Sequence, residues 1–102
     1  CWFAIRSVYQ FGIKENGLNV FEERIVCFKA KDFDEAHIKA DAESEKYANE
    51  NDFIVHPEQI GYKQDGNPLM DGYELWSELF ESSKSLEDFY QDRYKKYEYN
   101  PE

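Results

Sequence analysis

The chain has 102 residues, of which 41% are hydrophobic, and its 22 acidic and 12 basic residues give a formal charge of -10. This length suits one domain with one core, so we expect residues 1–102 to form a single domain. The charge opposes binding to phosphate backbones and to anionic lipid, and it favours encounter with a basic protein. Nucleic acid is therefore not an expected ligand, although the charge is equally well explained as a solvated surface.

The two cysteines, Cys1 and Cys27, lack the spacing of a CxxC motif or of a Cys and His metal site. Cys27 falls within a predicted strand, where a cysteine usually packs as a small hydrophobe. The sequence shows no leader pattern and no long apolar run. We therefore expect a cytoplasmic protein with no membrane contact, no metal and no cofactor.

Two strands are predicted at the start of the chain. Residues 1–13 are rich in strand formers and lead to Asn16 and Gly17, which are a strong signal for a hairpin turn. Val, Ile and Phe then dominate the second predicted strand, residues 20–30. The two strands should be antiparallel neighbours.

A two-residue turn sets the register of this hairpin. It places Ile5 opposite Phe28, so that Phe3, Ile5, Val26 and Phe28 share one face of the sheet. The other face also carries apolar residues, so we expect part of it to be covered. Its members are Trp2, Ala4, Val8, Ile25 and Cys27.

A helix is predicted from Asp32 to about Asn49. Asp32 and Glu35 have the spacing of a capping box, which marks the start of a helix. Mostly small residues recur every three or four positions and would let the helix lie close to a sheet. They are Phe33, Ala36, Ala40, Ser44, Tyr47 and Ala48.

The opposite side of this helix is acidic apart from Ile38 and Ala42. By helical geometry Ile38 points away from Ala40 and towards solvent. An apolar residue surrounded by carboxylates suits the centre of a protein contact with a charged rim. The alternative is that the protein itself covers Ile38, for example with its final helix. The predicted residues for binding a basic partner are Asp34, Glu35, Ile38, Asp41 and Glu45.

The candidates for acid and base chemistry are His37 and His56. Asp41 lies one turn from His37 and is close enough to pair with it, but no nucleophile accompanies them and a structural histidine is the expected role. His56 precedes Pro57, which restricts it to extended conformations, and the sequence offers it no partner. We expect no catalytic residue, and a small enzyme is the least favoured hypothesis.

The second half of the chain is less regular. Residues 53–63 are predicted to form a third strand, in which Pro57 lacks a donor and indicates an edge or a bulge. Residues 64–68 have turn composition. Residues 69–81 fit both a helix and a strand, and a hairpin across the turn favours a strand. That strand would pair with the third.

A final helix should begin at Ser85, which forms a second capping-box pattern with Asp88. An apolar stripe at helical spacing is more often core than contact surface. The fold class predicted from all these elements is α+β, a four-stranded, mainly antiparallel sheet with two helices in the order β-β-α-β-β-α. The stripe consists of Leu86, Phe89, Tyr90, Tyr94 and Tyr97.

Three stretches carry a family resemblance: residues 2–7 (WFAIRS), residues 21–26 (FEERIV), and residues 33–36 (FDEA) with Ala40. They resemble the bacterial family called domain of unknown function 4288, and the resemblance extends to residues 72–77 (GYELWS). Such small acidic proteins are similar in size and charge to immunity proteins that neutralise a nuclease toxin. This analogy in size and charge suggests a non-enzymatic inhibitor of a basic toxin. A scaffold or regulatory subunit acting through its apolar faces is an equally favoured hypothesis.

Overall fold

The structure, a computed structural model, describes residues 1–64 and 71–101. These residues form an α+β fold with the predicted order β-β-α-β-β-α, and its second helix runs on into a π-helical turn, Gln91–Lys95. The elements are β1 (Trp2–Ile13), β2 (Asn19–Lys29), α1 (Phe33–Asn51), β3 (Ile54–Val55), β4 (Ile60–Lys63) and α2 (Leu86–Tyr90).

Strand β1 is the centre of the sheet. β2 pairs antiparallel with one side of it, while β3 and β4 pair antiparallel with the other. β3 lies opposite Tyr9 and Gln10, and β4 lies opposite residues 3–6. The main-chain N–H of His56 donates to the carbonyl of Val8 at 2.8 Å, which continues the pairing beyond β3.

The predicted third strand, residues 53–63, is therefore two short strands rather than one. The break between β3 and β4 contains Pro57, which has no N–H to give to a strand ladder. The expected edge position is confirmed, because among the described residues β3 and β4 pair only with β1. The prediction of one continuous strand over residues 53–63 is wrong. β4 takes the place of the predicted fourth strand.

The prediction of a strand over 69–81 is wrong for residues 71–81, which form no regular helix or strand. Gly72 has a φ of 81°, a left-handed conformation that interrupts an extended chain. Residues 69 and 70 and most of the predicted turn at 64–68 lie outside the described residues.

This irregular segment covers part of the sheet face opposite α1. Such cover was expected from the apolar residues on that face. The rings of Trp76 and Tyr62 lie 5.8 Å apart, and the guanidinium of Arg6 lies 5.7 Å from the Trp76 ring. Arg6 also forms an ion pair with Glu78 at 2.7 Å. These contacts join the start of the chain to its last third.

The β1–β2 hairpin is displaced by two residues from its predicted register. Ile5 pairs with Val26 rather than with Phe28. The N–H of Lys14 donates to the carbonyl of Leu18 at 2.8 Å, which makes the turn one residue longer than predicted, and a bulge near the end of β1 adds the second displacement. Because the displacement is even as far as the pair of Gln10 and Phe21, the side chains of that stretch keep their predicted faces.

Helix α1 packs across the sheet through the small residues predicted for that role. Ala36, Ala40, Ser44 and Ala48 are buried. At the start of the helix the side chain of Asp32 accepts a hydrogen bond from the N–H of Glu35 at 2.9 Å, which confirms the predicted cap. The core cluster is formed by Phe3, Ile5, Ala30, Ala36 and Ala40, with Phe28 packed against it.

Helix α2 begins at the predicted cap, where the Ser85 hydroxyl accepts from the N–H of Asp88 at 3.2 Å. None of its residues is buried, so the core interpretation of the aromatic stripe is wrong. Leu86 is 86% exposed. Within the stripe the rings of Tyr90 and Tyr94 lie 5.1 Å apart, and Phe89 packs on Phe80 of the irregular segment at 5.4 Å.

Candidate functional site

The solvent side of α1 holds the residues predicted to bind a partner. Ile38 is 71% exposed, so the alternative in which the protein covers it is wrong. At about 100° of rotation per residue, Asp34, Asp41 and Glu45 lie within about 60° of Ile38 around the helix axis. All three carboxylates are exposed. We call Asp34, Ile38, Asp41 and Glu45 the α1 acidic surface.

These three carboxylates form no ion pair with any described residue. The nearby ammonium of Lys39 donates to the Lys29 carbonyl at 2.6 Å instead. In the described part of the chain, no ammonium or guanidinium therefore lies within ion-pair distance of these three carboxylates.

Glu35, the fifth predicted residue, has a structural role. Its carboxylate accepts from the N–H of Lys31 at 3.3 Å, which completes the cap of α1, and lies 3.9 Å from the ammonium of Lys39. Glu35 is only partly exposed, unlike the other three carboxylates. It belongs to the rim of this surface at most.

A polar network, and not a catalytic pair, surrounds His37. Its Nδ1 lies 3.4 Å from Oε1 of Gln59. The amide nitrogen of Gln59 donates to the hydroxyls of Ser7 at 3.1 Å and Ser44 at 3.3 Å. Gln59 thus ties the bend between β3 and β4 to both β1 and α1. This contact agrees with the structural role expected for His37.

The other candidates for chemistry, His56 and the two cysteines, are exposed. His56 is exposed, and its Nδ1 accepts from the N–H of Glu58 at 3.1 Å. Cys1 and Cys27 are both free and exposed. The expectation that Cys27 packs as a small hydrophobe is wrong, because its position on β2 faces away from α1.

The described residues contain no group of three or more His, Cys, Asp or Glu side chains arranged to hold a metal ion. In the same part of the chain, no helix is both long enough and apolar enough to cross a membrane.

A charged cluster between β2 and α1, centred on Arg24, was not predicted from the sequence. Arg24 forms a two-point ion pair with Glu43, donates to the Tyr9 hydroxyl at 3.3 Å, and lies 3.8 Å from the centre of the Tyr47 ring. The hydrogen bond to Glu43 raises the pKa of Arg24. The hydroxyl of Tyr47 donates to Glu22 at 2.7 Å. The one sequence feature that could have indicated this cluster is the four-residue spacing of Glu43 and Tyr47, which places them one turn apart on α1.

An open depression of about 550 Å³ lies beside the π-helical turn. Within it Asp92 contacts Lys84 at 2.9 Å and Lys96 at 3.7 Å, and the hydrogen bond from Lys84 lowers the pKa of Asp92. The charges of Asp92, Lys84 and Lys96 therefore pair with one another in solvent. Its lining residues are Lys84, Asp88, Gln91, Asp92, Lys95 and Lys96.

Comparisons with known protein families, with curated proteins and with solved structures find no match to this chain.

Proposed function

We propose that this chain is a non-enzymatic binding protein that recognises a basic protein through the α1 acidic surface. The observation that carries the proposal is the 71% exposure of Ile38 beside three carboxylates that form no ion pair with any residue the structure describes. A central apolar side chain contributes affinity when it is desolvated, and a charged rim gives orientation and selects the partner.

The charge of the whole chain supports the same kind of partner. A formal charge of -10 accelerates encounter with a basic protein and repels anionic polymers. The proposed partner class is a basic toxin domain of the nuclease type, neutralised in the cytoplasm. Support for this class comes from the resemblance of the first half of the chain to domain of unknown function 4288 and from the analogy with immunity proteins in size and charge.

The test begins with purification from the native cells and identification of a co-purifying basic protein. Binding of that protein is then measured for the unmodified chain and for Ile38→Asp, which should fold normally and bind more weakly. Leu79→Asp is the matched control, since Leu79 is 97% exposed and lies outside α1. Rising salt should slow association, because exposed charges are screened beyond about 8–10 Å. Equal binding by Ile38→Asp and Leu79→Asp would exclude the α1 acidic surface.

The second candidate function is a scaffold or regulatory subunit that acts through exposed apolar residues. It is favoured by the C-terminal segment, where Leu79 is 97%, Leu86 is 86% and Tyr97 is 77% exposed. In this case Leu79→Asp, and not Ile38→Asp, would reduce association in the same assay. An enzyme using His37 or His56 is the least supported proposal, because their contacts are to Gln59 and to a main-chain N–H.

A further inference from the structure

The outer edge of β2 is a feature of the sheet separate from the α1 acidic surface. β2 is the outermost strand of the sheet on its side of β1. Beyond its end the N–H of Ala30 donates to the carbonyl of Cys1 at 3.0 Å. Because alternate residues of an antiparallel pair face their partner strand, the even-numbered residues of β2 bond to β1. The odd-numbered residues therefore direct their N–H and C=O groups outward.

Most of these outward groups are free. Within residues 1–64 and 71–101, no hydrogen bond reaches the main chain of Phe21, Glu23, Ile25 or Cys27 on this side. Only the carbonyl of Lys29, at the end of the strand, is occupied by a side chain. An unpaired row of donors and acceptors is a template for another strand.

The side chains along this edge add a specific pattern. Phe21 is 66% and Ile25 49% exposed, and Glu23 lies exposed between them on the sheet face away from α1. Across the sheet Glu23 faces Val8, and no described residue forms an ion pair with it. The pattern that meets an incoming strand is thus apolar, acidic, apolar.

The neighbouring charges on β2 are already engaged. Glu22 accepts from the hydroxyl of Tyr47, and Arg24 is held by Glu43 on the face towards α1. Of the two adjacent carboxylates Glu22 and Glu23, it is consequently Glu23 that remains available to a partner.

We propose that the edge of β2 accepts an extended segment of a basic protein by strand addition, with a Lys or Arg opposite Glu23 and an apolar residue two positions away on each side. Main-chain hydrogen bonds provide the affinity in this mode, and the alternate side chains provide the specificity. Charge complementarity selects the occupant, since a cation opposite Glu23 meets a carboxylate that no described residue neutralises.

A second copy of the chain fits this edge less well. Two β2 strands related by a two-fold axis place odd-numbered residues opposite each other, and Glu23 meets a cation only in the register that pairs it with Lys29. That register leaves Phe21 without a partner. It also brings together two chains that each carry a charge of -10.

The experiment uses the full chain labelled with nitrogen-15 and the capped peptide Thr-Val-Thr-Lys-Thr-Val-Thr as the probe. Chemical-shift changes and slowed hydrogen exchange should appear at the amides of Phe21, Glu23 and Ile25. A peptide in which the N–H groups of Lys and both Val residues are methylated should not bind, because those groups face β2. Binding by the methylated peptide, or no change at these three amides with the unmodified one, overturns the proposal.

Two charge-reversal variants separate this surface from the α1 acidic surface. Glu23→Lys should weaken binding of the peptide about fivefold, since a cross-strand pair of opposite charges becomes one of like charges. Glu45→Lys, which changes the charge of the chain equally, should leave peptide binding unchanged. Equal weakening by both variants, or protection of the β2 amides that grows with protein concentration before any peptide is added, counts against a basic segment as the occupant.

Discussion

The guanidinium of Arg24 and the carboxylate of Glu43 meet fork to fork, with Nη1 2.7 Å from Oε1 and Nη2 2.8 Å from Oε2. Their side chains are 26% and 32% exposed, and the ring of Tyr47 lies 3.8 Å from the guanidinium carbon. Arg24→Lys keeps the charge but loses the planar fork and the stacking. We expect it to lower the free energy of unfolding by about 1 kcal/mol, measured by urea denaturation.

The control for this prediction is the pair of Lys46 and Glu50 on α1. Its two charged atoms lie 3.9 Å apart, and the Lys46 side chain is 75% exposed. Lys46→Ala should change the free energy of unfolding by less than about 0.5 kcal/mol. A loss in Arg24→Lys no larger than that in Lys46→Ala would show that the two-point geometry contributes nothing measurable.

Gly61 on β4 lies close to the ring of Phe33 at the start of α1. A Cβ atom at this position would lie 3.0 Å from Cε1 of Phe33 and 3.1 Å from Cδ1 of Ile5, and Ile5 is only 1% exposed. Gly61→Ala should therefore cost about 1–3 kcal/mol of stability in a denaturant titration. Gly12→Ala is the matched control, because nothing lies within 4 Å of the added atom. Equal stability of the two variants would contradict this packing.

Because of the hydrogen bond from Tyr47 to Glu22, the stability of the fold should change with pH in the alkaline range. Donation to the carboxylate raises the pKa of Tyr47 above its ordinary value of 10.0. A group whose pKa is higher in the folded state stabilises the fold below its unfolded pKa and loses that contribution as pH rises through the folded pKa. The stability difference between the unmodified chain and Tyr47→Phe should thus be constant near neutral pH and shrink above about pH 10.

Thermal or urea unfolding of both proteins across this range measures the difference, and ultraviolet absorbance of tyrosinate follows the ionisation itself. In the Glu22→Gln variant the pKa of Tyr47 should return towards the ordinary value for tyrosine. A stability difference that stays constant through the alkaline range would exclude a contribution from this hydrogen bond.

The parts of the fold that follow from local periodicity were predictable. The small face of α1 and the faces of the β1–β2 hairpin depend on three- or four-residue and two-residue repeats, which the sequence displays directly. The register of the hairpin depends on the turn closed by Lys14 and Leu18 and on a bulge, and neither has a clear local signal. An error of two residues was the result, with the side-chain faces preserved as far as the pair of Gln10 and Phe21.

Long-range contacts account for what the sequence analysis missed. Arg6 and Glu78 are separated by 72 positions, and no periodic pattern in the sequence predicts that they pair. The same limit applies to the site. Periodicity placed Ile38 opposite Ala40 on α1, but its exposure depended on where α2 packs, which helical spacing alone does not determine.

The face of α1 that packs on the sheet can be tested with one small residue. Ala40 is 3% exposed and belongs to the core cluster, so Ala40→Leu inserts three heavy atoms where no space exists. We expect a loss of about 1–3 kcal/mol, seen as a lower denaturation midpoint. Ala42→Leu makes the same change two residues later, at an exposed position of the same helix, and should leave the midpoint nearly unchanged. Because both variants have the same helix propensity, a difference between them reports packing alone, and equal midpoints would mean that α1 does not lie on the sheet through Ala40.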